Sequence, residues 1–458
     1  MPRRDPIVAA ITLFLLNVFT VSAAGAVVKL TPQRELEPRA AAVADRSVLQ
    51  AGNLADDIAA AAPLPGSGTL AAKLTGLLTA NINAVVVDAL TRRSLFDQRG
   101  GVGAVPASTT KLATSTAVLS ALGPDYRLTT KVVRSAAGIV LVGGGDPTLA
   151  GPSAQLTGVY PRPASLVDLA GQTAAALKKA GRTHVRLDYD TSLFQSVRSA
   201  QGWKPNYQTD GETAQISALT IDEGRVVPGT IEAAQRVPDP PAAAAKAFGQ
   251  LLQRDGITVQ KGTKVTAATS APQLASVQSP TIADLVEKLL TNSDNDLAEA
   301  MARQVAVKLH LTADFNGGAQ GVHQVLAGLG LAQGVQTYDG SGLSTKNRIT
   351  PIALARLISA AASSAHPELR AVITGMPIAG FSGTLAGRYL TAGTQSGAGY
   401  VRAKTGTLDQ VNTLAGLAYD SDGRLLAFAF MANRVADPAA ALSTLDRLAT
   451  ALTTCGCH

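Results

Sequence analysis

Pro106-Ala-Ser-Thr-Thr-Lys-Leu112 decides the reading of this chain, because it sets Ser108 and Lys111 three residues apart at the predicted start of a helix. Residues at i and i+3 share a helix face, so hydroxyl and amine can meet. A serine hydroxyl hardly ionises near neutral pH and needs an adjacent base to attack a carbonyl. Lysine can be that base once burial or a second cation lowers its pKa. Taken alone, the pattern also fits a surface lysine on an alanine-rich helix. Two further patterns weigh against that: Ser293-Asp294-Asn295 and Lys404-Thr405-Gly406 follow in this order, and each of the three occurs once. Ser108 is therefore the candidate nucleophile.

Ahead of Ser108, residues 83–89 and 94–97 read as paired strands, preceded by a helix over 69–80. Between Lys111 and Ser293 lies too much chain for a helical crossover between two catalytic motifs. It alternates helix-like pieces (165–180, 242–254) with strand-like ones (183–189, 258–259, 264–266), which predicts an inserted α/β domain over 135–275. The glycine run at 143–145 lacks G-x-x-x-x-G-K-[ST] and reads as a tight turn, so no nucleotide site is implied. The catalytic domain then takes 69–134 and 276–454. Within it, Ile282, Leu285, Val286 and Leu289 mark one helix face, and Leu297, Met301, Val305 and Leu309 mark that of the next. Ser293 and Asn295 fall on the connection, where Asp294 or Asn295 can also cap the second helix. Segments 400–408, 414–419 and 424–433 read as strand, hairpin and strand with Lys404–Gly406 on the first, closed by a helix over 438–452. The fold class is α/β in the α+β sense.

The 458 residues suffice for two or three domains. With 46% apolar but only 4% aromatic residues, the core must be built from Ala, Val and Leu. A net charge of +7 is scattered, without the basic runs and interleaved aromatics of a nucleic-acid binder. Arg3 and Arg4 precede an uncharged run over 7–28, which predicts export. Ala24-Gly25-Ala26 fits signal cleavage, while a run of this length also suffices for an uncleaved membrane anchor. Residues 29–68 read as a linker. Cys455 and Cys457 sit in a terminal Cys-Gly-Cys-His, expected to be an unstructured end. His184, His310, His323 and His366 show no metal-ligand spacing, and Trp203 is expected to anchor the insert.

The triplet S-x-x-K, S-x-N, K-T-G is similar to the signature of class A β-lactamases and penicillin-binding proteins. With 143–149, Tyr338-Asp-Gly-Ser-Gly-Leu-Ser344, Met376-Pro-Ile-Ala-Gly380 and the long insert, the chain resembles the class C low-molecular-mass penicillin-binding proteins over most of 75–450. These are the D-Ala-D-Ala carboxypeptidase/endopeptidase family of the penicillin-binding protein 4 type. In Ser382-Gly-Thr-Leu385, Ser stands where members often carry Asp. The resemblance implies a penicillin-binding/β-lactamase-like domain, an antiparallel sheet flanked by helices. It implies that Ser108 attacks the penultimate D-Ala carbonyl with Lys111 as base, while Lys404, a second cation close by, helps keep Lys111 neutral. Ser293 would relay the proton to the leaving amine. Asn295 would orient Lys111 and bind the substrate amide. Lys404 and Thr405, in the Lys404–Gly406 strand, would hold the terminal carboxylate, and the N–H groups of Ser108 and Thr407 would form the oxyanion hole. The implied substrate is a peptidoglycan stem ending in D-Ala-D-Ala, β-lactams would acylate Ser108, and no metal or cofactor is needed.

A class A β-lactamase shares the motifs but hydrolyses its acyl-enzyme with a glutamate-activated water. That glutamate normally lies between S-x-N and K-T-G, and 314–339 contains none. Glu299 falls in the helix after the turn, and Glu368 has no matching asparagine. A noncatalytic wall-binding protein would show a broken motif, and all three are intact. A broader esterase would be marked by inactivity toward D-Ala-D-Ala peptides.

Overall fold

A computed structural model describes residues 62–195, 198–230 and 234–456. The expected signal or anchor, most of the linker, and Cys457 lie outside them. Among the described residues no helix is long and apolar enough to cross a membrane. The first helix, α1 (Ser67–Thr75), stops at Gly76, a weak helix former, short of the expected 69–80. Strands β1 (Ile82–Asp88) and β2 (Ser94–Gln98) pair antiparallel. β1 is buried throughout because both sheet faces are covered: Val85 and Val87 enter one core, Ala84 and Val86 another. A 3-10 turn, Ala107–Thr109, then leads into α2 (Thr110–Leu122), buried from Thr110 to Leu119.

The chain next builds a second sheet from β3 (Arg127–Arg134), β4 (Gly138–Val142), α3 (Leu166–Lys179), β5 (His184–Asp190), α4 (Pro240–Arg254), β6 (Thr258–Lys264) and β7 (Gln273–Thr281). Its order is β6-β5-β4-β3-β7. β4, β5 and β6 run parallel, which requires crossovers, and α3 and α4 supply them over a separate core containing Leu141, Leu169 and Phe248. Ser165 and Asp239 start these helices by accepting from the Asp168 and Ala242 N–H groups. The sheet extends beyond the expected 135–275, because β3 pairs with β4 on one side and with β7, absent from the sequence reading, on the other. The loop between β5 and α4 leaves this sheet: Phe194, Trp203, Tyr207 and Ile216 join the main helical core. Trp203, expected as a packing anchor, packs edge-on to Phe315 at 4.9 Å and donates Nε1 to Asp339 Oδ2 at 2.7 Å, so it fastens this loop to the helical core.

After the second sheet come α5 (Ile282–Asn292), α6 (Asn295–Lys308), α7 (Phe315–Gly328), a two-residue pairing of β8 (Val335–Gln336) with β9 (Arg348–Ile349), α8 (Pro351–Ala361) and α9 (Arg370–Thr374). Thr281 and Asp284 form a reciprocal capping box at the start of α5. β10 (Val401–Leu408), β11 (Val411–Tyr419) and β12 (Leu425–Asn433) complete the first sheet in the order β10-β11-β12-β1-β2, antiparallel throughout. Strands from both ends of the chain thus meet in one sheet. The final helix α10 (Pro438–Thr453) covers one face together with α1, through Leu70, Leu74, Leu445 and Leu448. On the other face α8 packs against β1, β11 and β12, and α2, α5, α6 and α7 join it in one helical core. Cys455 corrects the expected loose end: it is buried against the α10 side, and its carbonyl accepts from Ser421 Oγ at 2.9 Å. A thiol packs there as a small hydrophobe.

Candidate active site

Ser108 lies in the 3-10 turn that precedes α2, not in the α-helix itself. Ala107 before it has φ 48°, a left-handed conformation uncommon for a non-glycine residue. Lys111, in the first turn of α2, is fully buried. Its Nζ donates to Ser108 Oγ at 2.9 Å, Asn295 Oδ1 at 2.7 Å and the Ser341 carbonyl at 2.7 Å. The i, i+3 spacing delivers the first of these contacts, and tertiary structure supplies the other two.

Ser293 ends α5 in the left-handed conformation, φ 57°. Of the two capping candidates the structure uses Asp294, which accepts from the Leu297 N–H at 2.8 Å. This sharp connection turns Ser293 toward β10 and Asn295 toward Lys111. The Nδ2 of Asn295 donates to the Glu212 carbonyl at 2.9 Å, leaving one N–H of that amide for a substrate carbonyl. The flanking acids are buried and braced from the 211–236 segment. Arg225 and Lys288 face Asp294 at 3.9 and 4.0 Å, and both also pair with Glu223. Arg236 Nη1 lies 3.0 Å from Asp296 Oδ2, and Asp296 Oδ1 accepts from the Ala214 N–H at 2.7 Å.

β10 is the edge strand of its sheet; Pro377 and Ala379 bond to the outer side of its first half, at Ala403 and Val401, and Thr405 and Thr407 beyond them line the cleft. Lys404 is fully buried, with Nζ donating to Ser293 Oγ and to the Thr405 carbonyl, each at 2.8 Å. The Thr405 hydroxyl meets that of Thr384 at 2.8 Å. Ser382, two residues before Thr384, accepts from the Ile378 N–H at 2.9 Å, which an Asp carboxylate there could also do. At Gly406 a Cβ would lie 2.2 Å from Thr413 Oγ1 and 2.9 Å from Ser108 N, so the strand approaches the Ser108 turn too closely for a side chain. Thr407 is exposed and lines the cleft, a cavity of about 630 Å³ bounded opposite by Lys204, Asn206 and Glu212. Lys204 and Asp409 form an exposed ion pair at 3.5 Å, a contact of little energetic weight.

Burial pushes the Lys111 amine down to about 8, against the opposing pull of Asp339, Asp294, Glu299 and Glu212. Lys404 is held well below the ordinary lysine value, first by burial and then by the charge of Lys111. Burial is the first cause at Lys111, and Lys404 and Lys111 lie close enough for their charges to repel, so each disfavours the charged form of the other.

Ser108, Lys111 and Asn295 thus form one cluster, and Ser293, Lys404 and Thr405 another across the cleft. Gly406 lies between them and Thr407 on the rim. Sequence reasoning missed the carbonyls of Ser341 and Glu212 as partners, since any residue type supplies a carbonyl. It also missed Thr384, whose one signal was its place in the family-like 382–385 segment.

Residues 69–235 and 227–454 match the D-Ala-D-Ala carboxypeptidase 3 (S13) family. The carboxypeptidase Rv3627c of Mycobacterium tuberculosis is 37% identical over 81% of this chain and 80% of its own length. The carboxypeptidase DacB of Mycolicibacterium smegmatis is 36% identical over 86% of each chain. In fold, the crystal structure of penicillin binding protein 4 from Haemophilus influenzae is similar, with TM-score 0.67 and 21% identity over 84% of this chain and 98% of that one.

Proposed function

The chain belongs to the D-Ala-D-Ala carboxypeptidase 3 (S13) family, and from that premise we propose which of its residues carry out the reaction of a serine D-Ala-D-Ala carboxypeptidase on peptidoglycan stems outside the cytoplasm. Ser108 Oγ attacks the carbonyl carbon of the penultimate D-Ala and passes its proton to Lys111 Nζ. The C–N bond to the last D-Ala breaks, and that amine takes a proton through the Ser293 hydroxyl. Water then hydrolyses the Ser108 ester. Acid–base assistance of this kind contributes roughly 10²–10⁴-fold, and one oxyanion-hole N–H about 3–4 kcal/mol. Lys404 and Thr405 receive the terminal carboxylate, whose negative charge would raise the depressed Lys404 pKa and restore the cation.

The observation that carries this reading is the pair of contacts Lys111–Ser108 at 2.9 Å and Lys404–Ser293 at 2.8 Å, which join a proton acceptor to a nucleophile and a cation to a proton relay. Glu299 offers no β-lactamase-like route to deacylation, because it is fully buried and bonded to the 340–341 backbone and Arg303. Intact-mass spectrometry with benzylpenicillin tests the reading. A long-lived adduct on the wild type and none on Ser108→Ala is expected. An adduct lost within seconds would argue for a β-lactamase, and none at all for a noncatalytic wall-binding protein.

A further inference from the structure

Glu299 is a fully buried acid on α6 to which the chemistry above gives no task. Its Oε1 accepts from the backbone N–H groups of Gly340 at 3.0 Å and Ser341 at 2.8 Å, and its Oε2 from Arg303 Nη1 at 3.2 Å. From the other side, the Gly340 carbonyl accepts from Thr114 Oγ1 at 2.7 Å, one helical turn along α2 from Lys111. The Gly340–Ser341 peptide is thus clamped between α6 and α2. The loop is also wedged against the Ser108 turn: Gly342 has φ +90°, and a Cβ on it would lie 1.9 Å from the Ala107 carbonyl oxygen.

What the clamp fixes is the Ser341 carbonyl, one of three partners of Lys111. As an ammonium, Lys111 donates to all three. As a free base it keeps two N–H donors and one lone pair. Ser341 O can only accept. So can Asn295 Oδ1, whose orientation is set by Nδ2 donating to the Glu212 carbonyl. Both N–H bonds therefore go to these two oxygens, and the lone pair faces Ser108 Oγ, the one partner with a proton to give.

We propose that Glu299 and Thr114 are positioning residues that, by fixing the Ser341 carbonyl, aim the lone pair of neutral Lys111 at Ser108 Oγ. The proposal rests on the reading of Lys111 as the base. It also accounts for a carboxylate held out of water in the core, where an apolar residue would pack at no cost in solvation.

The test uses the full chain and benzylpenicillin, resolving the acylation rate constant from the noncovalent dissociation constant, with thermal melts to confirm folding. Thr114→Val should slow acylation several-fold without changing noncovalent affinity, and Thr114→Ser should restore it to within about twofold, since misplacement on the order of 1 Å can cost 10²-fold. A second pair replaces the buried charges together: Glu299→Gln with Arg303→Met keeps an acceptor for the two N–H groups, while Glu299→Leu with Arg303→Met does not. The Leu double variant should acylate about tenfold or more slowly than the Gln one. Equal rates within each pair, or losses in affinity instead of rate, would overturn the proposal, and should the Leu variant fail to fold the Thr114 pair decides alone. Lys111→Ala is measured alongside. Normal acylation there removes the base reading itself, whereas an inert Lys111→Ala beside a normal Thr114→Val removes only the positioning role.

Discussion

At the scale of single residues the site depends on a lysine made basic enough to work and acidic enough to be free. With Lys111 held near 8 by burial, roughly a tenth of it is neutral at pH 7. The sign follows from the reactive form: acylation needs the unprotonated amine, so its rate constant should rise about tenfold per pH unit below 8 and level off above. Stopped-flow acylation between pH 6 and 9.5 reads this directly, and a flat profile would be incompatible with Lys111 as base. Ser108 and Lys111 were legible as candidates in the sequence because three residues of chain keep them within reach, here from a 3-10 turn to the first turn of α2. The Ser341 carbonyl was not, because a backbone oxygen leaves no mark in residue type.

Elements bring the two clusters to contact distance, and they do so with almost no slack. β10 passes the Ser108 turn so closely that Gly406→Ala would push strand and turn apart, through the contacts with Thr413 Oγ1 and Ser108 N. Gly406→Ala should therefore abolish penicillin acylation, while Gly387→Ala, where a Cβ meets nothing within 4 Å, should acylate normally. Equal acylation by the two would show that the approach has room to relax. The α5–α6 connection is the second tight element. Its helices were legible from their buried faces at Ile282–Leu289 and Leu297–Val305, and Asp294 from the capping preference. The left-handed Ser293 was not, since serine does not advertise that conformation.

For the whole molecule, the inserted segment does more than decorate the catalytic core. The β5–α4 loop packs Trp203 and Tyr207 into that core, and its 211–236 stretch grips Asp294, Asn295 and Asp296. Removing one partner of a buried pair is far costlier than never having built it. Arg236→Met, which leaves the Asp296 carboxylate without its cation, should destabilise the protein by on the order of 3 kcal/mol in urea unfolding and slow acylation through Asn295. Unchanged stability and rate would mean the brace is ornamental. What was visible in the sequence is the long stretch between Lys111 and Ser293 with alternating helix-like and strand-like pieces, which the second sheet and its helices α3 and α4 occupy. The second sheet runs past the expected bounds because β3 and β7, contiguous with α2 and α5 in sequence, pair with each other in space.

By itself the sequence determined the candidates for the chemistry, Ser108 and Lys111 and the order of the three motifs, through their resemblance to a family signature, and it determined the sheet that unites both chain ends through its strand patterns. Only the tertiary structure decided what tunes that chemistry. Burial lowers Lys111, the Ser341 carbonyl accepts from its Nζ, and the Glu212 carbonyl holds the Asn295 amide. These depend on contacts between residues far apart in the chain and on exclusion of water, neither of which any local pattern encodes.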